Sequence, residues 1–130
     1  LRSVIITDIK LRSDIKEKLA NYPLYSQEGK GMDSIILIEF DLITEIDSDP
    51  YFWLATEAEK QENDYLFFGY VCLGNWDFAE WGYFRLSELE ELYSNGYLIM
   101  PWFDLNNSEE ITVGEAIAPK KEIKEDTEHD

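Results

Sequence analysis

Residues 66–92 read LFFGYVCLGNWDFAEWGYFRLSELEEL, a stretch that crowds aromatic rings and carboxylates around a single basic residue, Arg85. Its first part, Leu66–Leu73, is rich in aromatic and β-branched side chains, which pack well on a pleated surface, and it predicts a strand. Gly74-Asn75-Trp76-Asp77 has the composition of a turn, and Glu80–Leu86 predicts a strand returning beside the first. Ser87-Glu88-Leu89-Glu90 then matches a capping box: the serine oxygen accepts an early helix N–H, and the glutamate reaches back to the cap residue. Leu86, Leu89 and Leu92 share the helix face so opened, and Asn95-Gly96 ends it. Strands joined at hairpin length imply antiparallel pairing, here with a helix laid on the pair. Rings fall on both faces of these strands, so many of them must be core or sheet-covering residues. Gly69, Gly74 and Gly82 fit close packing or bulges rather than a phosphate loop.

Upstream, Ser34–Ile43 predicts a strand whose Ile36, Ile38, Phe40 and Leu42 form one apolar face, with Glu39 and Asp41 on the other. Asp47-Ser48-Asp49-Pro50 reads as a turn, Tyr51–Thr56 as a second strand, and Glu57–Asp64 as a charged connection. Arg12–Ala20 predicts a short amphipathic helix, with Asp14 as cap and Asn21-Tyr22-Pro23 as its end. Tyr97–Trp102 is expected as a last strand on the sheet edge, because Pro101 lacks a donor. The resulting class is α+β: an antiparallel sheet of four to five strands in a meander, with an N-terminal helix and a helix after the fourth strand, packed on one side. Residues 1–118 are expected to form a single acidic domain, and 119–130 a charged, disordered tail.

The chain has 130 residues, enough for one domain with a sizeable core. Its one cysteine, Cys72, cannot form an internal bridge and lies in an apolar run, so a buried, inert thiol in a reducing compartment is expected. There is no apolar run of membrane-spanning length and no charged-then-apolar leader, which points to a cytoplasmic protein.

The chemistry available is narrow. The single histidine is His129, which rules out a histidine-based triad drawn from this chain. Paired cysteines and histidine metal motifs are absent, and Asp47-x-Asp49 lacks the glycine and glutamate of a calcium loop. No cofactor or metal is therefore expected, and no catalytic residue. Glu80 beside Trp81 would suit acid–base work if it were buried. Among so many acids, however, some close carboxylate pair is inevitable. A carboxylate- or metal-dependent hydrolase stays open as the rival class.

The formal net charge is −17. Residues 32–115 hold Lys60 and Arg85 as their only Lys or Arg, against nineteen acids, so the excess belongs to the body of the domain and not to a tail. Direct nucleic-acid binding is disfavoured, since phosphate affinity requires clustered Lys and Arg. The reverse relationship suits the charge. Glu39, Asp41, Glu45, Asp47, Asp49, Glu57, Glu59, Glu62 and Asp64, gathered on one surface, would imitate the charge ladder of a duplex and attract a basic groove. Trp76 is the candidate aromatic anchor and Phe78 its alternative. The competing explanation is solubility, which a high net charge serves by itself. A housekeeping interaction module whose charge serves solubility alone is a further alternative.

The chain resembles the bacterial family catalogued as domain of unknown function 2958. The likeness rests on Tyr22-Pro23-Leu24-Tyr25, on Trp53-Leu54-Ala55, on Leu66-Phe67-Phe68-Gly69-Tyr70-Val71, and above all on Glu80-Trp81-Gly82-Tyr83-Phe84-Arg85-Leu86-Ser87-Glu88-Leu89. It spans roughly residues 20–105 and departs after Gly96, where Ile99-Met100-Pro101-Trp102 replaces the family's arginine-aspartate pair. The resemblance implies a mobile-element protein kept among transfer and anti-defence genes. It raises the expectation of a non-enzymatic anti-CRISPR or antirestriction inhibitor whose partner is a Cas or restriction nuclease, and it would also suit a plasmid-maintenance interaction module with no mimicry.

Overall fold

The structure is a computed structural model that describes residues 13–44, 49–102 and 110–129, with side chains described for 15–44, 49–102 and 110–122. It is α+β, with helix α1 (Ser13–Ala20), strands β1 (Ile38–Ile43), β2 (Tyr51–Gln61), β3 (Asp64–Leu73) and β4 (Glu80–Arg85), helix α2 (Leu86–Ser94), strand β5 (Leu98–Trp102) and helix α3 (Val113–His129). The five strands form one antiparallel sheet in the order β4-β3-β2-β1-β5. The first four make the expected meander. β5 crosses over to pair with β1 and carries Pro101 at the sheet edge, as its missing donor requires. The cap expected of Asp14 lies outside the described side chains.

Strand alternation divides the apolar residues between two layers. On one face Phe40, Trp53, Phe67, Phe84 and Ile99 pack under Ile15 and Leu19 of α1 and Leu86, Leu89 and Tyr93 of α2. On the other, Phe52, Leu54, Tyr70 and Cys72 pack under Val113 and Ile117 of α3. The two helices expected from sequence thus share one face, and α3, which was not expected, packs on the other. Cys72 is fully buried, as its apolar run implied.

α3 runs on past Pro119, through the residues expected from sequence to form a charged tail. Its start is fixed by a capping box: Thr112 Oγ1 accepts the Glu115 N–H at 3.2 Å, and Glu115 Oε1 accepts the Thr112 N–H at 3.0 Å. Pro119 removes one intrahelical donor, but the helix continues to His129.

The strand expected over Ser34–Ile43 begins at Ile38. Its first residues bond elsewhere, Ile36 N to Ile111 O and Val113 N to Ser34 O, which ties this segment to the root of α3. The charged connection expected over Glu57–Asp64 is instead the end of a long hairpin. Pairing runs Glu57↔Phe68, Glu59↔Leu66 and Gln61↔Asp64, since ladder hydrogen bonds are indifferent to side-chain polarity at an exposed tip. The register shifts between Ala55 and Glu57 at a bulge. There Gly69 meets β2 so closely that a Cβ would sit 1.8 Å from the Leu54 carbonyl oxygen. α2 starts one residue before the expected cap. Glu88 Oε1 accepts the Arg85 N–H at 3.2 Å, and Ser87 donates its hydroxyl to Asp64 Oδ2 at 2.6 Å.

Candidate functional site

The described acids among those expected to form one ridge fall into three groups. Glu39 and Asp41 project from β1 on the α3 face, in the strand register of Leu54 and Phe52. Lys120 of α3 reaches down to them, with Nζ 3.1 Å from Glu39 Oε2 and 3.6 Å from Asp41 Oδ1. Burial pushes the Asp41 carboxyl up to about 7, helped by the hydrogen bond and charge of Glu39, while Lys120 opposes the shift. With Asp49, Tyr51 and Trp102 these residues line a depression of about 520 Å³.

Asp49 Oδ2 accepts the Trp76 N–H at 2.8 Å, anchoring the β3–β4 connection. The Trp76 ring lies 5.5 Å from Phe52, with the Lys121 ammonium 5.2 Å above it. Trp76 is thus half-buried and packed, whereas Phe78 is 77% exposed and is the free ring of this turn.

Glu59, Glu62 and Asp64 occupy the opposite end of the sheet, at the tip of the β2–β3 hairpin. Leu54, opposite Glu39, lies seven residues from Gln61 along β2, roughly 23 Å at strand rise. The described acids of the nine therefore do not form one continuous ridge. At this tip Asp64 accepts both the Ser87 N–H, at 3.1 Å, and the Ser87 hydroxyl. These bonds, with that from the Tyr65 N–H, outweigh desolvation and lower the Asp64 carboxyl below its ordinary value. The tip is thereby fastened to the first turn of α2, which brings in Glu88 and Glu90. Burial raises the Glu90 carboxyl, and the nearby Asp64 charge adds to it. Facing these five carboxylates are Lys60, whose ammonium lies over Tyr65, and Arg85, whose guanidinium donates to Gln61.

Glu57 belongs to neither end. It is 4% exposed, and its two oxygens accept the Tyr25 N–H at 2.7 Å and the Gln27 N–H at 2.9 Å. It is a loop-holding residue rather than a surface charge. Glu80 is exposed, so the burial that acid–base work would require of it is not met. Glu45 and Asp47 lie outside the described residues.

Sequence reasoning missed Lys120, assigned to the tail, and the α2 acids Glu88 and Glu90. The first was legible in Thr112-Val113-Gly114-Glu115, which has capping-box spacing and announces a helix that carries Lys120. The second needed the Asp64–Ser87 bond, a contact between residues 23 apart that no local pattern encodes. Among the described residues no three His, Cys, Asp or Glu side chains gather to hold a metal ion, and no helix is long and apolar enough to cross a membrane. No protein-family model, no curated protein and no solved structure matches the chain.

Proposed function

We propose that this domain is a non-enzymatic inhibitor that binds the basic groove of a nucleic-acid-binding protein, with its acidic contact surface narrowed to the hairpin tip and α2. The observation that carries this reading is the Asp64–Ser87 clamp, which holds Glu59, Glu62, Asp64, Glu88 and Glu90 at one end of the sheet against Lys60 and Arg85. A fixed cluster of like charge on a rigid hairpin offers a basic groove what a duplex backbone offers, without the bases. The resemblance stated above adds the target class: a host-defence nuclease of the CRISPR or restriction type, met by a protein from a mobile element.

The test is cleavage of duplex DNA by a panel of CRISPR and restriction nucleases at low salt with the protein in excess. Inhibition is expected for at least one enzyme, relieved by competitor duplex and by roughly 0.5 M salt, which collapses the screening length to a few ångströms. Glu59→Lys with Glu62→Lys, both on exposed side chains, should weaken it about tenfold or more. Full activity across the panel removes the reading.

One observation favours a second reading, a carboxylate-dependent hydrolase. Asp41, raised to about 7 beside Glu39 and Lys120 in an open depression, has the protonation balance of a general acid–base. Hydrolysis of an ester or glycoside panel that is lost in Asp41→Asn would establish it over the inhibitor.

A further inference from the structure

Among the described residues, α3 leaves part of its face of the sheet uncovered. Beyond Val113 and Ile117 the sheet continues into Phe68, Trp81 and Tyr83, which with Tyr25, Glu28 and Glu57 line a separate pocket of about 490 Å³. The rings are ordered against one another. Phe68 stacks on Trp81 at 5.9 Å with planes 13° apart, and Tyr83 meets Phe68 edge-on at 5.0 Å. Tyr25 and Tyr83 remain 66% and 53% exposed, while Phe68 and Trp81 are half-buried, Trp81 against the α3 core, so the outer part of this aromatic surface is open to solvent.

The loop opposite is built to hold its shape. Tyr25 has φ +74°, a left-handed conformation that a bulky residue adopts at a cost, and the Glu57 carboxylate accepting its N–H holds it there. Gln27 is 2% exposed. Its side chain donates to Ile35 O and Thr56 O and accepts from Ile35 N, which pins the loop to β2 and to the start of the sheet. The charge within is negative: Glu57 and Glu28 both face in, and among the described residues no lysine or arginine lines the pocket. The Tyr83 phenol senses this field, raised chiefly by its hydrogen bond to Tyr25, with Glu57 and Glu28 adding to it.

Electron-rich ring faces backed by carboxylates select a cation, and parallel rings without a closed cage select a flat one. We propose that this pocket receives the guanidinium of an arginine side chain from a basic protein partner, stacked on the Phe68–Trp81 wall with its edge turned to the exposed Glu28 and the buried Glu57 charge behind. The inference rests on the inhibitor reading for its partner, and the strand register supports the connection. The row Glu57↔Phe68↔Tyr83 lies two residues below the row Glu59↔Leu66↔Arg85, about 7 Å along the same face, so a partner seated on the acidic tip reaches the pocket.

The probe is the blocked peptide acetyl-Gly-Arg-Gly-amide, titrated against the full chain and followed by amide and indole N–H resonances. Saturable shifts are expected at the Trp81 indole and the Tyr25 and Gln27 amides. The citrulline peptide, equal in shape but uncharged, and the lysine peptide should each bind at least about tenfold more weakly. Tyr83→Ala, at an exposed ring, should abolish the shifts, and Glu28→Gln should weaken them. Glu59→Lys with Glu62→Lys should leave them in place while weakening nuclease inhibition, so failure of the pocket and failure of the inhibitor reading are separately visible. Equal binding of citrulline or lysine, or shifts spread over the acidic surface and unchanged by Tyr83→Ala, overturns the proposal.

Discussion

Replacing Asp41 by asparagine tests whether burial or Lys120 controls the carboxyl pair on β1. The folded chain holds the Asp41 proton up to about pH 7, whereas an unfolded aspartate releases it near its ordinary value of 3.8. Between those values the native state binds the extra proton, so this site favours folding at low pH and that stability is lost as pH rises through about 7. A gap of about three units at about 1.4 kcal/mol each would give about 4 kcal/mol. Partial solvent access and the ability of Lys120 to follow the charge reduce it to roughly 2 kcal/mol. At this chain length that corresponds to about 6–10 °C in Tm. The asparagine amide mimics the protonated acid, so the Asp41→Asn variant should match wild type near pH 4 and exceed it by that amount at pH 8.5. Thermal and urea unfolding from pH 4 to 8.5, at 0.15 and 0.5 M salt, measure the difference. Repulsion among the other acids is common to both proteins and cancels. A gap that does not change with pH, or wild type gaining on the variant above pH 7, would show that the lysine at 3.6 Å wins and refute the argument.

Two substitutions examine the scaffold behind the pocket and the hairpin. Gly69→Ala places a Cβ 1.8 Å from the Leu54 carbonyl oxygen, so β2 and β3 must part at the bulge; a loss of at least about 3 kcal/mol in urea unfolding is expected, and a change under about 1 kcal/mol would show the approach to be relaxed. Gln27→Leu strands Ile35 N–H, Ile35 C=O and Thr56 C=O in a buried site, with an expected loss of about 3–5 kcal/mol and faster hydrogen exchange at Ile35 and Tyr25.

The fold was largely legible because its strands carry period-two patterns that survive local exceptions. Ile38, Phe40 and Leu42 alternate cleanly, and Phe67 and Phe84 lie on the face covered by Leu86 and Leu89, whose spacing marked the apolar side of α2. The hairpin tip was misread because Glu57–Asp64 shows no apolar alternation, and at an edge backbone pairing needs none. α3 was missed because mixed charge and a proline weighed more than the Thr112–Glu115 box. Among the candidate residues, composition measured how much charge the domain carries but not what each carboxylate does. Glu57 and Asp64 sit in equally acidic contexts, yet one is buried beneath a loop and the other clamps a helix, because their partners Gln27 and Ser87 are distant in sequence.

That division bears on whether the charge serves solubility alone. A purely solubilising acid needs no fixed partner, and its position is free. Here Glu39 and Asp41 meet Lys120, Glu57 meets two loop N–H groups, Asp64 meets Ser87, and Glu115 caps α3, so a large share of the described acids is committed to structure. Glu59 bonds within the hairpin, to Gln61, and Glu62 contributes its backbone carbonyl to Lys60 while its side chain stays exposed. These two carboxylates stand on the outermost part of a hairpin locked to α2, where removing them disturbs no core contact. Surface charge that costs the fold nothing to lose, held on a framework that costs it a great deal to move, is the arrangement expected of a contact surface. Its charge reversal is accordingly the cleanest way to separate binding from solubility.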